Sequence, residues 1–288
     1  MLALLAHFSA GSWVTLIVLL MLGYAGMKLL PENREHMQVN KWICAAALLG
    51  IYLLLSQMLP LCAKYWPGKK GELVIPATLY LLGVYGCEKR PARVASVLLW
   101  IGAILLLPLI LAVGKTVKLE WVKPEGMGAS LWLIAAVLVP FLVSLATGVK
   151  TDGKWYTATG IAAVGIWIAV NGVLSPQVAK NAEEPFRHMS LSLSLGPYSR
   201  FESIGSIVIT FGWYGFVSLC LHCANRFWEE LGVRKEKRKW IHVILLLTIL
   251  WVGARIAPEI MVAYLIVAWV LLPIFRLKKR SKKSEKSA

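Results

Sequence analysis

Charge is what this sequence has least of. Only 16% of its 288 residues are Asp, Glu, Lys or Arg, against about 25% in an average soluble domain. No charged residue precedes Lys28, and none lies deep in the long apolar runs that follow. A proton-coupled pump usually carries one there, so this absence counts against strong ion coupling. Also missing are an HExxH pair, a phosphate-binding P-loop and paired acidic residues within a run. The sequence therefore gives no reason to expect an enzyme, a metal or a cofactor. Cysteine is sparse: Cys44, Cys62, Cys220 and Cys223 lie inside or at the end of apolar runs, and Cys87 closes another. Nothing in that spacing implies an oxidised framework, and small buried hydrophobes are the default.

What is abundant is apolar surface. Hydrophobic residues make 58% of the chain, and 23 glycines raise the non-polar share to roughly two-thirds, against about 45–50% for a soluble domain. The mean hydropathy is +0.66. A soluble enzyme, a disordered chain and a disulfide-stapled secreted domain are all excluded, leaving an all-α, polytopic membrane protein. The net charge of +16 could suit a nucleic-acid binder. Here, however, the basic residues stand between long uncharged runs, as in loops facing anionic membrane lipid, and no nucleic acid is expected.

A bilayer core of about 30 Å needs about 20 apolar residues per helix. On that measure the spans fall near residues 13–27, 42–61, 73–86, 94–114, 129–148, 155–174, 203–224, 240–254 and 257–275. The third is short, at 14 residues, with Pro76 near its start, and the eighth is short too. Together they make a membrane domain over 1–275, followed by a basic tail over 276–288. The connections on the side of that tail hold 21 Lys and Arg and those on the other side 10, which predicts a cytoplasmic C-terminus. Nine spans then put the N-terminus outside. Leu2–Phe8 is apolar but too short to cross, and Leu2–Ser12 reads as the outer half of a helix whose inner half is not in the chain.

The order of features resembles a family. WVTLIVLLMLGYAGMKLLP (Trp13–Pro31) is similar to the second helix of the spore-germination permeases. These are the B subunits of nutrient germinant receptors, in the amino acid–polyamine–organocation (APC) superfamily. YLLGVYGCEKRPARVASVLL (Tyr80–Leu99) resembles their inner loop of the form G-x-E-x-x-A-R, through Gly86, Glu88, Ala92 and Arg93, with similar but not identical spacing. VNGVLSP (Val170–Pro176) resembles the G-P end of the seventh helix. Tyr198–Leu221 resembles the E-R-x-E start of helix eight, with Ser199 in place of the first Glu and with Arg200 and Glu202 kept. The colinear likeness covers nearly the whole chain. It implies an APC/LeuT-like inverted-repeat bundle lacking most of helix one, whose spans correspond to helices two to ten. It further implies the membrane of a spore-forming bacterium, partner receptor subunits, and the sensing of a small polar nutrient such as an amino acid. An amino-acid transporter and a ligand-free membrane scaffold are the rival readings.

Transporters of this architecture bind substrate at the bilayer midplane, where helices are broken. The second broken helix would be Ala129–Gly148, interrupted at Pro140, with Ser144 and Thr147 on the same side of it. An ordinary proline kink is the alternative. Tyr52, Ser56 and Gln57 are polar and near mid-depth, as ligand contacts or as hydrogen-bonding glue between helices. Ser206 and Thr210 repeat at i, i+4 beside Gly205, Gly212 and Gly215, as ligand contacts or as a packing seam. CLHC (Cys220–Cys223) invites a metal, but His222 and Cys223 point to different helix faces. Asn171 and Asn225 read as interfacial caps. Ser175–Arg200, with Glu183, Glu184, Arg187, His188 and the amphipathic run Ser190–Leu195, reads as a solvated connection, or else a gate or partner surface.

Overall fold

A computed structural model describes residues 13–29, 41–64, 71–89, 91–122, 131–148, 153–182, 185–195, 198–199, 201–253 and 255–275. These are almost wholly helical. In chain order they form α1 (Trp13–Lys28), α2 (Lys41–Lys64), α3 (Gly71–Lys89), α4 (Pro91–Thr116), a 3-10 turn (Leu119–Trp121), α5 (Leu131–Thr147) and α6 (Lys154–Leu174). There follow the short α7 (Pro176–Asn181) and α8 (Pro185–Ser192), a two-residue antiparallel pairing of β1 (Ser194–Leu195) with β2 (Tyr198–Ser199), and α9 (Glu202–Glu230). The chain ends in α10 (Lys235–Gly253) and α11 (Pro258–Ile266), which continues through a π turn at Val267–Leu271.

Each expected span falls on a helix. Four stretches are long and apolar enough to cross a membrane: Lys41–Leu61, Lys154–Leu174, Glu202–Glu230 and Pro258–Phe275. Ile17–Lys28, Ile104–Thr116 and Ile134–Thr147 are shorter apolar helices. The third and eighth segments are longer than their apolar runs, at 19 residues each. Their polar ends, Gly71–Glu72 and Lys235–Lys239, join the helix because backbone bonding does not stop where hydropathy does. The N-terminal segment 1–12, the tail 276–288, Glu183, Glu184 and Arg200 lie outside the described residues; in all, 14 of the 31 Lys and Arg that set the expected orientation do.

α9 is the central helix. It packs against α2, α3, α4, α5, α8 and α10; Ile209, Trp213, Phe216, Cys220 and Phe227 line one buried face, and Val208, Leu221 and Ser218 are buried on others. α4 behaves differently. Its inner stripe includes Leu109 and Ala112, whereas Val97, Trp100, Ile104, Leu107 and Leu111 form an outward stripe at helical spacing, each 58–71% exposed. In water such a stripe would be a liability; against lipid it is the expected surface.

Two expectations are corrected by the helix boundaries. α5 runs through Pro140 without interruption, because neighbouring helices and local adjustment tolerate the missing N–H in an apolar bundle. Between Gly253 and Pro258 the chain passes from α10 to α11, the connection between the eighth and ninth expected spans, and Pro258 opens α11. Ser175–Arg200 is also not a plain loop. Proline at the first helical position starts both α7 and α8, and Ala179, Phe186, Met189 and Leu193 are buried. The Arg187 guanidinium donates through Nε and Nη2 to Glu202 Oε1 at 3.1 Å, so the glutamate of the E-R-x-E-like segment fastens α8 to the start of α9.

α9 ends on a Schellman turn. Gly232 has φ +81°, Val233 N–H donates to Trp228 O at 2.9 Å, and Gly232 N–H donates to Glu229 O at 2.9 Å. A side chain at that φ costs about 1–2 kcal/mol. Gly232→Val is therefore expected to lower the thermal midpoint of the detergent-solubilised protein measurably. Gly215→Val, in an α-helical stretch with nothing within 4 Å of the added Cβ, should move it less.

Candidate functional site

The Schellman turn folds α10 back beside α9 and α2, and a buried polar chain forms where the three meet. Trp228 Nε1–H donates to Tyr52 Oη at 3.0 Å. Tyr52 Oη lies 3.0 Å from His242 Nδ1, and His242 Nε2 lies 2.9 Å from Asn225 Oδ1. Indole can only donate, so the tyrosine oxygen accepts from Trp228. The asparagine oxygen only accepts, so in the neutral imidazole Nε2–H donates to it and Nδ1 accepts the tyrosine hydroxyl proton. This ordering assigns His242 the neutral Nε2–H tautomer. The imidazole is only 1% exposed, so each of these bonds replaces one that water would have made.

Arg238 locks the same corner from outside. Its Nε donates to Val233 O at 2.8 Å, its Nη1 to Asn225 O at 3.4 Å, and its Nη2 lies 3.9 Å from Glu229 Oε1. Asn225 is thus an interhelical partner of His242 and not an interfacial cap. Asn171 is not a cap either: it is buried and donates to Trp167 O one turn back in its own helix, at 2.9 Å.

The other sequence-selected residues divide into two kinds. Gln57, one turn along α2 from Tyr52, donates to the carbonyl of Ile256 in the connection between α10 and α11. That carbonyl lies beyond the last turn of α10, so the side-chain amide supplies what the backbone ladder does not. The hydroxyls, by contrast, back-bond within their own helices: Ser56 to Leu53 O at 2.7 Å, Thr147 to Val143 O at 2.8 Å, and Thr210 to Ser206 O at 2.7 Å. Ser56, Ser144 and Ser206 are buried. Pro140, Ser144 and Thr147 sit on α5, which packs on α9, α11 and the π turn; α2 packs on the same three elements. The two helices thus share neighbours, with Ser206 and Thr210 on the α9 between them. Cys220 and Cys223 are buried in α9, and among the described residues no cluster of three metal-binding side chains forms around them.

His242, Trp228 and Arg238 were not singled out from sequence. The usable signal was His242 itself, a polar residue near the head of the apolar run WIHVILLLTILW. Buried in such a run, it requires a partner.

The described residues therefore define an α-helical protein with four helices long and apolar enough to cross a membrane, joined at one corner by a histidine-centred hydrogen-bond chain. Scans against protein-family models, curated proteins and solved structures find no match to the chain.

Proposed function

We propose that this chain is a permease-like integral membrane subunit of a spore nutrient-germinant receptor, sensing a small polar nutrient such as an amino acid. The ordered likeness of four segments supports the family. The structural observation that carries the reading is Gln57, whose side-chain amide donates to Ile256 O in the connection between α10 and α11. That amide is a hydrogen-bonding group for which a polar ligand can compete. In this reading the nine apolar helices all cross the membrane as an inverted-repeat bundle, and the C-terminus is cytoplasmic.

The mechanism follows from what a ligand would displace. A ligand amino or carboxylate group beside Gln57 competes for the amide that holds Ile256 O. Releasing that carbonyl loosens the α10–α11 joint. α10 also carries His242, and α2 carries both Gln57 and Tyr52, so a shift at the joint is felt at the Trp228–Tyr52–His242–Asn225 chain. Coupling of this kind requires the ligand to bind one arrangement of the joint better than the other. A ligand-free scaffold is the second reading, favoured by the back-bonded hydroxyls of Ser56, Thr147 and Thr210.

Radiolabelled amino acids supplied to the protein in nanodiscs and in proteoliposomes separate these readings. A sensor shows saturable binding, weakened at least several-fold by Gln57→Ala, without accumulation. Saturable accumulation inside the vesicles establishes a transporter instead. Neither binding nor accumulation, with partner subunits present, establishes the scaffold.

A further inference from the structure

A cavity lies away from the polar residues, between α4, α6 and α9, with α8 also contributing to its lining. Its volume is about 390 Å³. On α4 it is lined by Leu106, Leu109, Ile110 and Val113, which recur at i, i+3, i+4 and i+7. On α6 the same spacing brings Ala162, Gly165, Ile166 and Ala169 to face them. Three of those four are too small to fill the space, so two helices with matching stripes leave a void where larger residues would have met. α8 contributes Phe186 and Met189 to the lining, while His188 and Ser192 on its other side are exposed.

The lining is almost entirely apolar, so it offers ordered water no partners. It is also not sealed. Ile110 belongs to the lining and is 60% exposed, and it adjoins the outward stripe of α4 at Leu107 and Leu111. The cavity is thus continuous with the surface that faces lipid. Leu106 to Val113 spans about 10 Å along the helix at 1.5 Å per residue, about a third of the hydrocarbon core. Just past Val113 the chemistry changes. Lys115 and Lys118 are both exposed, and Lys118 Nζ sits 4.3 Å from the ring centre of Trp121. A basic and aromatic pair at the end of an apolar helix marks the headgroup level, and its charge suits an anionic phosphate.

We infer that this cavity holds one acyl chain of an anionic phospholipid, from the leaflet at the C-terminal end of α4, with the headgroup phosphate beside Lys115 and Lys118. The site is a lipid site distinct from the polar residues on α2, and it stands whether or not the nutrient reading does. The chain occupies space that only hydrocarbon can fill, and the lysines select among headgroups.

The test is native mass spectrometry of the protein released from nanodiscs of equal phosphatidylglycerol and phosphatidylcholine. Wild type is expected to retain one phosphatidylglycerol. Gly165→Phe fills the void, since an added Cβ there meets nothing within 4 Å, and is expected to retain none. Gly215→Phe, equally open but outside the lining, should retain one. Lys115→Gln with Lys118→Gln should erase the preference for phosphatidylglycerol. Should Gly165→Phe not fold, the smaller Ala169→Leu makes the same comparison. Wild type carrying no lipid, or Gly165→Phe and Ala169→Leu keeping it, overturns the inference. So does a photo-crosslinker at Ile110 that captures a second copy of the chain and not phospholipid.

Discussion

Replacing Trp269 with alanine is expected to cost about 3–5 kcal/mol, the range for emptying a fully buried tryptophan site. Trp269 is 0% exposed and stands in the π turn, where the wider winding turns it onto α2. Its Nε1–H donates to Ala47 O at 3.3 Å, and the indole lies directly over Gly50. A Cβ at Gly50 would come within 2.7 Å of Trp269 Nε1, so α2 and the indole meet only because residue 50 has no side chain. Tyr264 adds a bond to Ala46 O at 3.0 Å, one turn away on the same contact. Trp269→Phe keeps much of the volume and loses the hydrogen bond, so it should cost about 1–2 kcal/mol. Equilibrium unfolding in mixed micelles measures both. Because the indole is the nearest obstruction at position 50, with Leu265 Cδ2 next at 3.1 Å, Gly50→Ala should be destabilising alone and clearly less so in the Trp269→Ala background. That non-additivity is the mark of a direct contact.

The second large effect is expected at His242. His242→Ala removes the partner of Tyr52 Oη and the partner of Asn225 Oδ1 together. Two interhelical hydrogen bonds at an average of about 0.6 kcal/mol each in membranes, plus the unfilled imidazole volume, give about 2–3 kcal/mol. Tyr52→Phe keeps the ring and loses the two bonds at its oxygen, so about 1–2 kcal/mol is expected. The double substitution should cost clearly less than the sum, since each single change already breaks the Tyr52–His242 bond. His242→Gln places an amide near the Nε2 position and should recover the bond to Asn225 but not the one to Tyr52. Additive costs for Tyr52→Phe and His242→Ala would mean that the chain does not act as a unit.

The helices were legible because most of the apolar runs are long and all have few charges, so hydropathy marks them. What was not legible depends on partners far apart in sequence. Tyr52 and His242 are 190 residues apart, and no local spacing announces their meeting. Tyr52 stood out only as a polar residue at mid-depth, and His242 did not stand out at all. Proline misled in a consistent way. Pro140 suggested a break but is accommodated within α5, whereas Pro176, Pro185 and Pro258 stand at the starts of helices, where no N–H is needed. Ser175–Arg200 read as a loop because its helices are too short to show a periodic pattern. Ser56, Thr147 and Thr210 illustrate a different limit. A hydroxyl in an apolar helix has its own i−3 or i−4 carbonyl as a partner, so polarity at mid-depth does not by itself imply a ligand.

The most direct test of the nutrient-sensing proposal is germination of spores from which this chain has been deleted, scored against a panel of single amino acids and related small polar nutrients. The account expects loss of the response to one nutrient or a narrow group. Wild-type chain should restore that response, and Gln57→Ala at matched membrane abundance should shift it to at least several-fold higher nutrient concentration. An unaltered response to every nutrient in the deleted strain, or full rescue by Gln57→Ala at wild-type nutrient concentrations, would contradict it.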